Sequence, residues 1–443
     1  MNKLKPNSSG GGITYRTHLS KDINPSMAGQ KVKLLGWVEI KRDLGKIKFI
    51  ILRDYKGRLQ VTLPPDVSKE LTDIFNRLGR EDVISISGII KNMPQAPKGV
   101  EILPEEIKII NKSVSPLPLE LTGKVKVELD TRLDNRILDL RTARSNAIFK
   151  INNVVLTAVR NFFVENEFIE IHTPKIIASA TEGGTELFPV AYFDKEAFLA
   201  QSPQLYKEQL TSVFEKVYEI APVFRAEESN TTRHLSEIVM LDVEVAFTDY
   251  NDIMNLCERL LDRVFTEVIS KCSGELATLK QKLTRPKTPY KRYAYSEIIE
   301  ILSNNGVEIK WGDDIDTSAL RKLGELLKEP YFIKDWPTEG KPFYIAPRSD
   351  KPELSESFDL MCGWLEIASG GTRIHQKDLL INRIREKGMR PESFDFHIKT
   401  FDWGMPPHAG CGIGLARLLM ALTGLDNIRE AVLFPRDRYR LTP

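Results

Sequence analysis

The chain has 443 residues, 42% of them apolar and 28% charged, with a formal net charge of +2, the profile of a globular protein of two or three domains. No uninterrupted apolar run reaches the roughly 20 residues of a membrane span, and the lysine-containing start has no apolar leader, so a cytoplasmic protein without membrane attachment is expected. Four cysteines (Cys257, Cys272, Cys362, Cys411) without a CxxC pair or zinc spacing point to buried or free thiols rather than a disulfide scaffold.

The small net charge hides an asymmetry. Residues 1–116 hold 20 Lys+Arg against 12 Asp+Glu, and the remainder 43 against 49. A basic module on a mildly acidic body is the electrostatic outline of a nucleic-acid reader, although a solvated basic face has the same composition. Residues 1–13, with NSSGGG, read as a disordered lead-in. From Lys31 to Ile110 come five short β-rich runs (KVKLLGWVEI, IKFIILRD, RLQVTL, DVISISGIIKN, VEILPEEIKII), with a helical DVSKELTDIFNRL before the fourth. That order predicts an OB-type barrel over 14–112. The Pro-rich SVSPLPLELTGKVK then opens an expected hinge, 113–140. The rest, 141–443, starts with a long amphipathic helix (RSNAIFKINNVVLTAVRNFFVENEF) and continues as hairpin-connected strands with helices between them, an α+β domain with a mostly antiparallel sheet.

Four stretches of this second domain carry chemistry. FRAEESNTTRHLSE sends two arginines and a histidine through a loop between strand-like runs; taken alone, a solvated hairpin would account for it. SFDLMCGWLEIASGGTR sets Asp359 and Glu366 across a strand–turn–strand, where both can face one cavity and hold magnesium together with phosphate oxygens. GCGIGLARLLMALTG places Gly410, Gly412 and Gly414 at alternate positions, clearing one strand face for a flat ligand, ahead of a helix bearing Arg417. In QSPQLYKEQL, Ser202 is the expected N-cap and Pro203 the first residue of a helix that carries Gln204 and Lys207 on one face.

In combination with EFIEIHTP, TEGGTELF, EIASGG and the C-terminal LFPRDRYRLTP, these stretches resemble the motifs of class II aminoacyl-tRNA synthetases, and most closely the archaeal/eukaryotic-type aspartyl-tRNA synthetases, from about residue 14 to the end. The resemblance implies an OB-fold anticodon domain and a class II catalytic domain. It implies ATP as substrate, Mg2+ as cofactor, L-aspartate and tRNA(Asp) as partners, and a homodimer built on the segment ending at Pro174. By the same resemblance Arg225 binds the α-phosphate and the substrate carboxylate, and Glu227 the adenine side. Arg233 and His234 take the outer phosphates beside Leu235, and Arg417 lies over the adenine with Gly414 beneath. Asp359, Glu366 and Ser369 form the magnesium and phosphate site. Lys207 and Arg373 grip the aspartate side chain, with Asp242 behind them, while Gln204 and Glu182 take its ammonium. Ile238 stands where the family often has an adenine-stacking aromatic, so aliphatic packing is expected there. Lys207 argues against an asparaginyl-tRNA synthetase, and Arg225, Glu366 and Arg417 together argue against a non-catalytic RNA-binding paralogue.

In the basic module the resemblance has Phe49 stacking on an anticodon base, Gln60 reading its Watson–Crick edge and Arg42 on the backbone or first base. The loop MPQAPKGVEILP carries Pro97 where the family's stricter members carry lysine. Relaxed charging of both tRNA(Asp) and tRNA(Asn) is therefore expected, with a tRNA-dependent amidotransferase downstream.

Overall fold

The computed structural model describes residues 16–178, 187–227 and 231–443, and the chain divides after Glu120 into two compact units.

In the first unit β1 (Lys31–Asp43), β2 (Lys48–Asp54), β3 (Gly57–Leu63), β4 (Val83–Asn92) and β5 (Val100–Asn111) close a barrel in the order β1-β2-β3-β5-β4, as expected from the five runs. Alternate residues point inward: Val32, Leu34, Ile50, Leu52, Leu59, Val61, Ile84, Ile86 and Ile102 form its core. Gly88 permits close strand contact, because a Cβ there would stand 2.3 Å from the Leu103 carbonyl oxygen. The helix Lys69–Arg77 is capped by Ser68, whose side chain accepts from the Leu71 N–H, and seats Leu71 and Phe75 in the core.

The second unit holds β6 (Ile169–Glu170), β7 (Ile176–Ile177), β8 (Pro189–Tyr192), β9 (Lys195–Leu199), β10 (Lys216–Phe224), β11 (Glu237–Ala246), β12 (Lys291–Ala294), β13 (Tyr331–Lys334), β14 (Ser357–Cys362), β15 (Leu365–Thr372) and β16 (His408–Gly414). Eight of them form one sheet, β12-β13-β14-β15-β16-β11-β10-β6, antiparallel except for the β12/β13 and β10/β6 pairs. Leu241, Val243, Cys411 and Ile413 join the helices Ala143–Glu165 and Tyr250–Lys271 in the main core. The helix Ala143–Glu165 is long and apolar enough to cross a membrane by length and composition, but its Ile148, Ile151, Val155, Val159 and Phe163 lie in this core. Three of the four cysteines are buried, all unpaired.

Two local expectations change. Residues 129–139, placed in the hinge, form the short helices Leu129–Asp134 and Arg136–Asp139 of the second unit. Arg136 is buried there, pairing with Asp139 and donating to the Leu433 carbonyl at 2.8 Å, so the Pro-rich composition marks only the start of the linker. The helix after β9 runs Gln204–Phe214 with Pro203 rather than Ser202 at its cap, although the Gln204 N–H still donates to Ser202 Oγ at 3.3 Å.

Candidate active site

Strand register builds the site as a row. Glu219 of β10 pairs with Asp242 of β11, Asp242 with Gly412 of β16, Gly412 with Ser369 of β15, and Ser369 with Asp359 of β14. Partners across a ladder share a face, so three carboxylates, a glycine and a hydroxyl lie side by side on the face opposite the main core. Glu219 ends the row by accepting from the Thr173 N–H at 2.7 Å and from Lys175, which fixes the IHTPK segment around Pro174.

A cavity of about 360 Å³ covers this face and abuts a second of about 790 Å³; Arg233, His234, Lys341, Glu366, Ser369 and Arg417 line both. Of the expected residues, Gln204, Arg225, Glu227, Arg233, His234, Leu235, Glu366, Ser369, Arg373, Gly414 and Arg417 line the first cavity, and Asp359 lines the second. Ile238 lines the first as well, with Ile428 contributing further aliphatic surface. Glu182 lies outside the described residues. Gly412 and Gly414 keep the cavity floor low, as expected, but Gly410 has a different cause: a Cβ there would meet Glu244 Oε2 at 2.2 Å. It houses a carboxylate of the protein rather than a ligand.

Arg373 and Lys207 occupy different levels. Arg373, 3% exposed, donates from Nε to Glu244 Oε1 at 2.9 Å and still lines the cavity. Lys207, 1% exposed, lies behind the lining, with Nζ 2.9 Å from Asp242 Oδ1 and 3.4 Å from Glu244 Oε2. The expected order, Lys207 in contact and Asp242 behind it, is thus reversed in this arrangement. Burial opposes the Lys207 charge, but Asp242 and Glu244 outweigh it and hold the ammonium above its ordinary range.

The Arg/His loop is pinned from the C-terminal segment. The Ile428 N–H donates to the Thr232 carbonyl at 2.8 Å, Arg429 Nη1 to the Thr231 carbonyl at 2.9 Å, and the Ser236 N–H to the Arg436 carbonyl at 2.8 Å. Burial and the neighbouring Arg417 lower the Arg233 guanidinium, whose buried Nε makes no hydrogen bond. Cations that repel one another beside a cavity are relieved by an anion. The same burial, with Arg417 and Arg233 close by, pushes His234 down to about 4, so it is neutral near pH 7 and offers hydrogen bonds rather than a positive charge. An imidazole that protonates less readily folded than unfolded destabilises the fold as pH falls from about 6.5 toward 4. His234→Asn should flatten this part of the stability profile, measured by urea unfolding at stepwise pH; an unchanged slope would remove His234 as its source.

Asp359 and Glu366 both face the second cavity, as their spacing suggested, but only Asp359 is buried. Burial raises the Asp359 carboxyl and Lys341, 3.5 Å away, opposes the shift, while its buried Oδ1 has no hydrogen-bond partner. Glu366 accepts from Arg417 at 3.2 Å. No cluster of three or more His, Cys, Asp or Glu ligands suited to a metal occurs among the described residues. Two carboxylates and a hydroxyl fit a magnesium ion that takes its remaining ligands from phosphate and water. Lys341 and Tyr344, also in the lining, had no signal in the sequence beyond their place after a Gly-containing turn, EGKPFY.

Residues 128–438 match the family model of class II tRNA synthetases (D, K and N), and residues 32–110 match that of OB-fold nucleic acid binding domains. The chain belongs to the class II tRNA synthetases. An Archaeoglobus fulgidus aspartate–tRNA(Asp/Asn) ligase is 54% identical to this synthetase over 95% of the chain and 99% of its own length. A Thermococcus kodakarensis aspartate–tRNA(Asp) ligase is 52% identical over 97% of the chain and all of its own. Among solved structures, the asparaginyl-tRNA synthetase of Pyrococcus horikoshii with asparaginyl-adenylate superposes with a TM-score of 0.94 at 34% identity, covering 97% of the chain and 100% of that structure.

The synthetase barrel presents a second surface. Arg42 pairs with Phe49, and Phe49 with Thr62; beside them Ile51 pairs with Gln60, and Gln60 with Glu101. Phe49 is half-buried and outside the barrel core, between the buried Ile50 and the exposed Lys46–Ile47 turn. Gln60 Nε2 donates to Glu101 Oε2 at 3.2 Å and to Thr62 Oγ1 at 3.3 Å, partners that the sequence did not single out. Pro97 is exposed at the start of the 3-10 turn Pro97–Gly99, and the Lys98 ammonium donates to the Ser20 carbonyl at 2.9 Å. Glu39, on the neighbouring strand, is held by Arg58.

Proposed function

We propose that the chain is an aspartate–tRNA ligase that activates L-aspartate with ATP and charges tRNA(Asp) and also tRNA(Asn). The observation that carries the activation step is the convergence of Arg225, Arg233 and Arg417 with Gln204 and Arg373 on one cavity. In the reaction a carboxylate oxygen of aspartate attacks the α-phosphorus, pyrophosphate leaves, and the terminal ribose hydroxyl of tRNA then displaces AMP from the acyl group. Arg225 bridges the substrate carboxylate and the α-phosphate, holding the reactants in line and stabilising the charge of the five-coordinate phosphorus. Arg233, Arg417 and neutral His234 bind the outer phosphates, and Ile238 packs against the adenine. Asp359, Glu366 and Ser369 would hold magnesium, which would neutralise phosphate charge. Arg373, set by Glu244, takes the side-chain carboxylate; Lys207 acts through Asp242, and Gln204 accepts from the ammonium. A neutral amide would offer the Arg373 guanidinium no second anion and would turn an NH2 group toward its N–H donors, which rejects asparagine without an editing site. The family's homodimer, through the segment ending at Pro174, completes the reading.

Phe49 stacks on an anticodon base, and Gln60, its Nε2 held by Glu101 and Thr62, offers its carbonyl oxygen to the N3–H of uracil. Phe49→Ala should raise the Michaelis constant for tRNA by stacking worth about 1–3 kcal/mol and leave tRNA-independent exchange unchanged. An unaltered charging curve would assign Phe49 to barrel packing instead.

The two anticodons share their central uracil and are separated by the third base, so a reader of the uracil accepts both. Pro97 has neither a donor nor a charge to press on that base, and Lys98 is engaged by Ser20, which supports relaxed charging. The relatives do not divide the two cases, since ligases named for both tRNAs and for tRNA(Asp) alone are about equally similar. Relaxed charging requires a tRNA-dependent amidotransferase to convert Asp-tRNA(Asn). Side-by-side charging of the two purified transcripts with aspartate tests it. A preference for tRNA(Asp) of a hundredfold or more, about 2.7 kcal/mol, would leave a strict enzyme, and no aspartate-dependent exchange at all would remove the aspartate reading.

A further inference from the structure

Behind Gln204 lies a charged cluster that neither cavity touches. Glu208, one turn further along the same helix, is 0% exposed, as are His397 and His408. Gln204 Nε2 donates to Glu208 Oε1 at 2.6 Å. The other carboxylate oxygen lies 3.4 Å from His397 Nε2 and 3.5 Å from His408 Nε2.

The protons in this cluster follow from its partners. His408 Nδ1 is 2.7 Å from the Pro406 carbonyl, which can only accept, so Nδ1 carries a proton. Its Nε2 then faces a carboxylate favourably only when protonated too, as imidazolium. Burial opposes that charge, but Glu208 outweighs it and raises His408. On the other side Gln209 Nε2 donates to His397 Nδ1 at 3.2 Å, which places the His397 proton on Nε2, toward Glu208. Beyond these, Glu244 also favours the His408 charge, and Arg373 and His375 are the other charged or titratable groups coupled to the cluster.

A buried ion pair contributes little net stability compared with apolar side chains of the same volume, so its place beside the binding cavity needs another cause. An amide has a donor end and an acceptor end. Tying the Nε2 of Gln204 to an anion leaves its carbonyl oxygen for the cavity that Gln204 lines, and an ammonium requires an acceptor. The same histidine accepts the Arg373 N–H at its carbonyl, at 2.9 Å, which joins the ammonium end to the side-chain end of the site. We propose that Glu208, held as a carboxylate by His408 and His397, is a positioning residue that locks the Gln204 amide with its oxygen toward the substrate ammonium. This rests on the reading of Gln204 as the ammonium site of an aspartate ligase.

The test uses the full-length protein and compares L-aspartate with succinate, which is aspartate without its ammonium. Michaelis constants for aspartate and ATP come from ATP–pyrophosphate exchange, and the succinate inhibition constant from the same assay. Glu208→Met keeps volume but cannot accept; it should raise the aspartate constant about thirtyfold, the loss of one hydrogen bond to a charged group, with the ATP and succinate constants unchanged. Glu208→Gln still accepts from Gln204 through its carbonyl but is no longer an anion, and should show the same selective loss to a smaller degree than Glu208→Met. If Glu208→Met does not fold, His408→Asn, which removes the imidazolium and keeps the carboxylate, should show the same selective loss to a smaller degree. Equal losses for aspartate and succinate, or an unchanged aspartate constant, overturn the positioning role while the parent's exchange stands. A parent without aspartate-dependent exchange overturns the ligase reading and this proposal with it.

Discussion

Replacing Arg225 by alanine is expected to lower aspartate-dependent ATP–pyrophosphate exchange by at least 10²–10³-fold, roughly 2.7–4 kcal/mol of transition-state stabilisation, and to leave tRNA binding on filters nearly intact. Arg225 leaves β10 at the mouth of the pinned loop, where its N–H donates to the Ser236 carbonyl at 2.9 Å, and its side chain lines the cavity between β10 and β11 on one side and β15 and β16 on the other. A group held this way by its backbone loses little order when the side chain is cut, so the effect belongs to the chemical step rather than to folding. Normal exchange with lost tRNA binding would assign Arg225 to tRNA docking instead.

The second large effect concerns Lys207. Lys207→Met strands Asp242 and takes one of two cations from Glu244, and breaking a buried pair by removing one partner costs about 3–5 kcal/mol. The variant should therefore melt earlier and also lose aspartate activation, because Asp242, left without its cation beside the cavity, repels the incoming carboxylate, while Glu244 keeps only Arg373. The Michaelis constant for ATP should barely move. Adding Asp242→Asn removes the stranded charge, so the double variant should recover part of the melting temperature. Exchange with aspartate at the parent level in Lys207→Met would show that this lysine has no part in amino-acid identity.

These two residues also show what the sequence could disclose. Arg225 sits in a loop whose composition, two arginines and a histidine among small polar residues, conflicts with burial in a core, and that conflict is visible without coordinates. The barrel was legible for a similar reason: its strands alternate, and period and turn spacing survive in one dimension. Lys207 was expected to face an anionic ligand, but its depth was not readable. Depth depends on β11 and β16, which bring Asp242 and the Cys411 carbonyl to it from 35 and 204 residues away. His397 and His408 were silent for the same reason, each being an ordinary histidine until the fold sets both against Glu208. Gly410 misled in the opposite direction: a regular GxGxG spacing has one appearance and two causes, a ligand face at Gly412 and Gly414 and a protein carboxylate at Gly410.

The row from Asp242 through Gly412 and Ser369 to Asp359 spans three hydrogen-bonded strand spacings, which fixes its ends about 14 Å apart whatever is bound. Loops adjust to a substrate, whereas a ladder of backbone hydrogen bonds measures it. On the proposed function, the Asp242 end takes the amino-acid side chain and the Asp359 end the phosphates, so the two are marks on one rule and the α-carboxylate has to meet the α-phosphorus between them. Glutamate carries the same charges as aspartate but is one methylene longer. With its side chain seated, its reactive carboxylate would overshoot the line of attack by about 1 Å, a misplacement worth on the order of a hundredfold in rate. On the proposed function, rejection of glutamate is then expected to be a matter of length, set by the sheet.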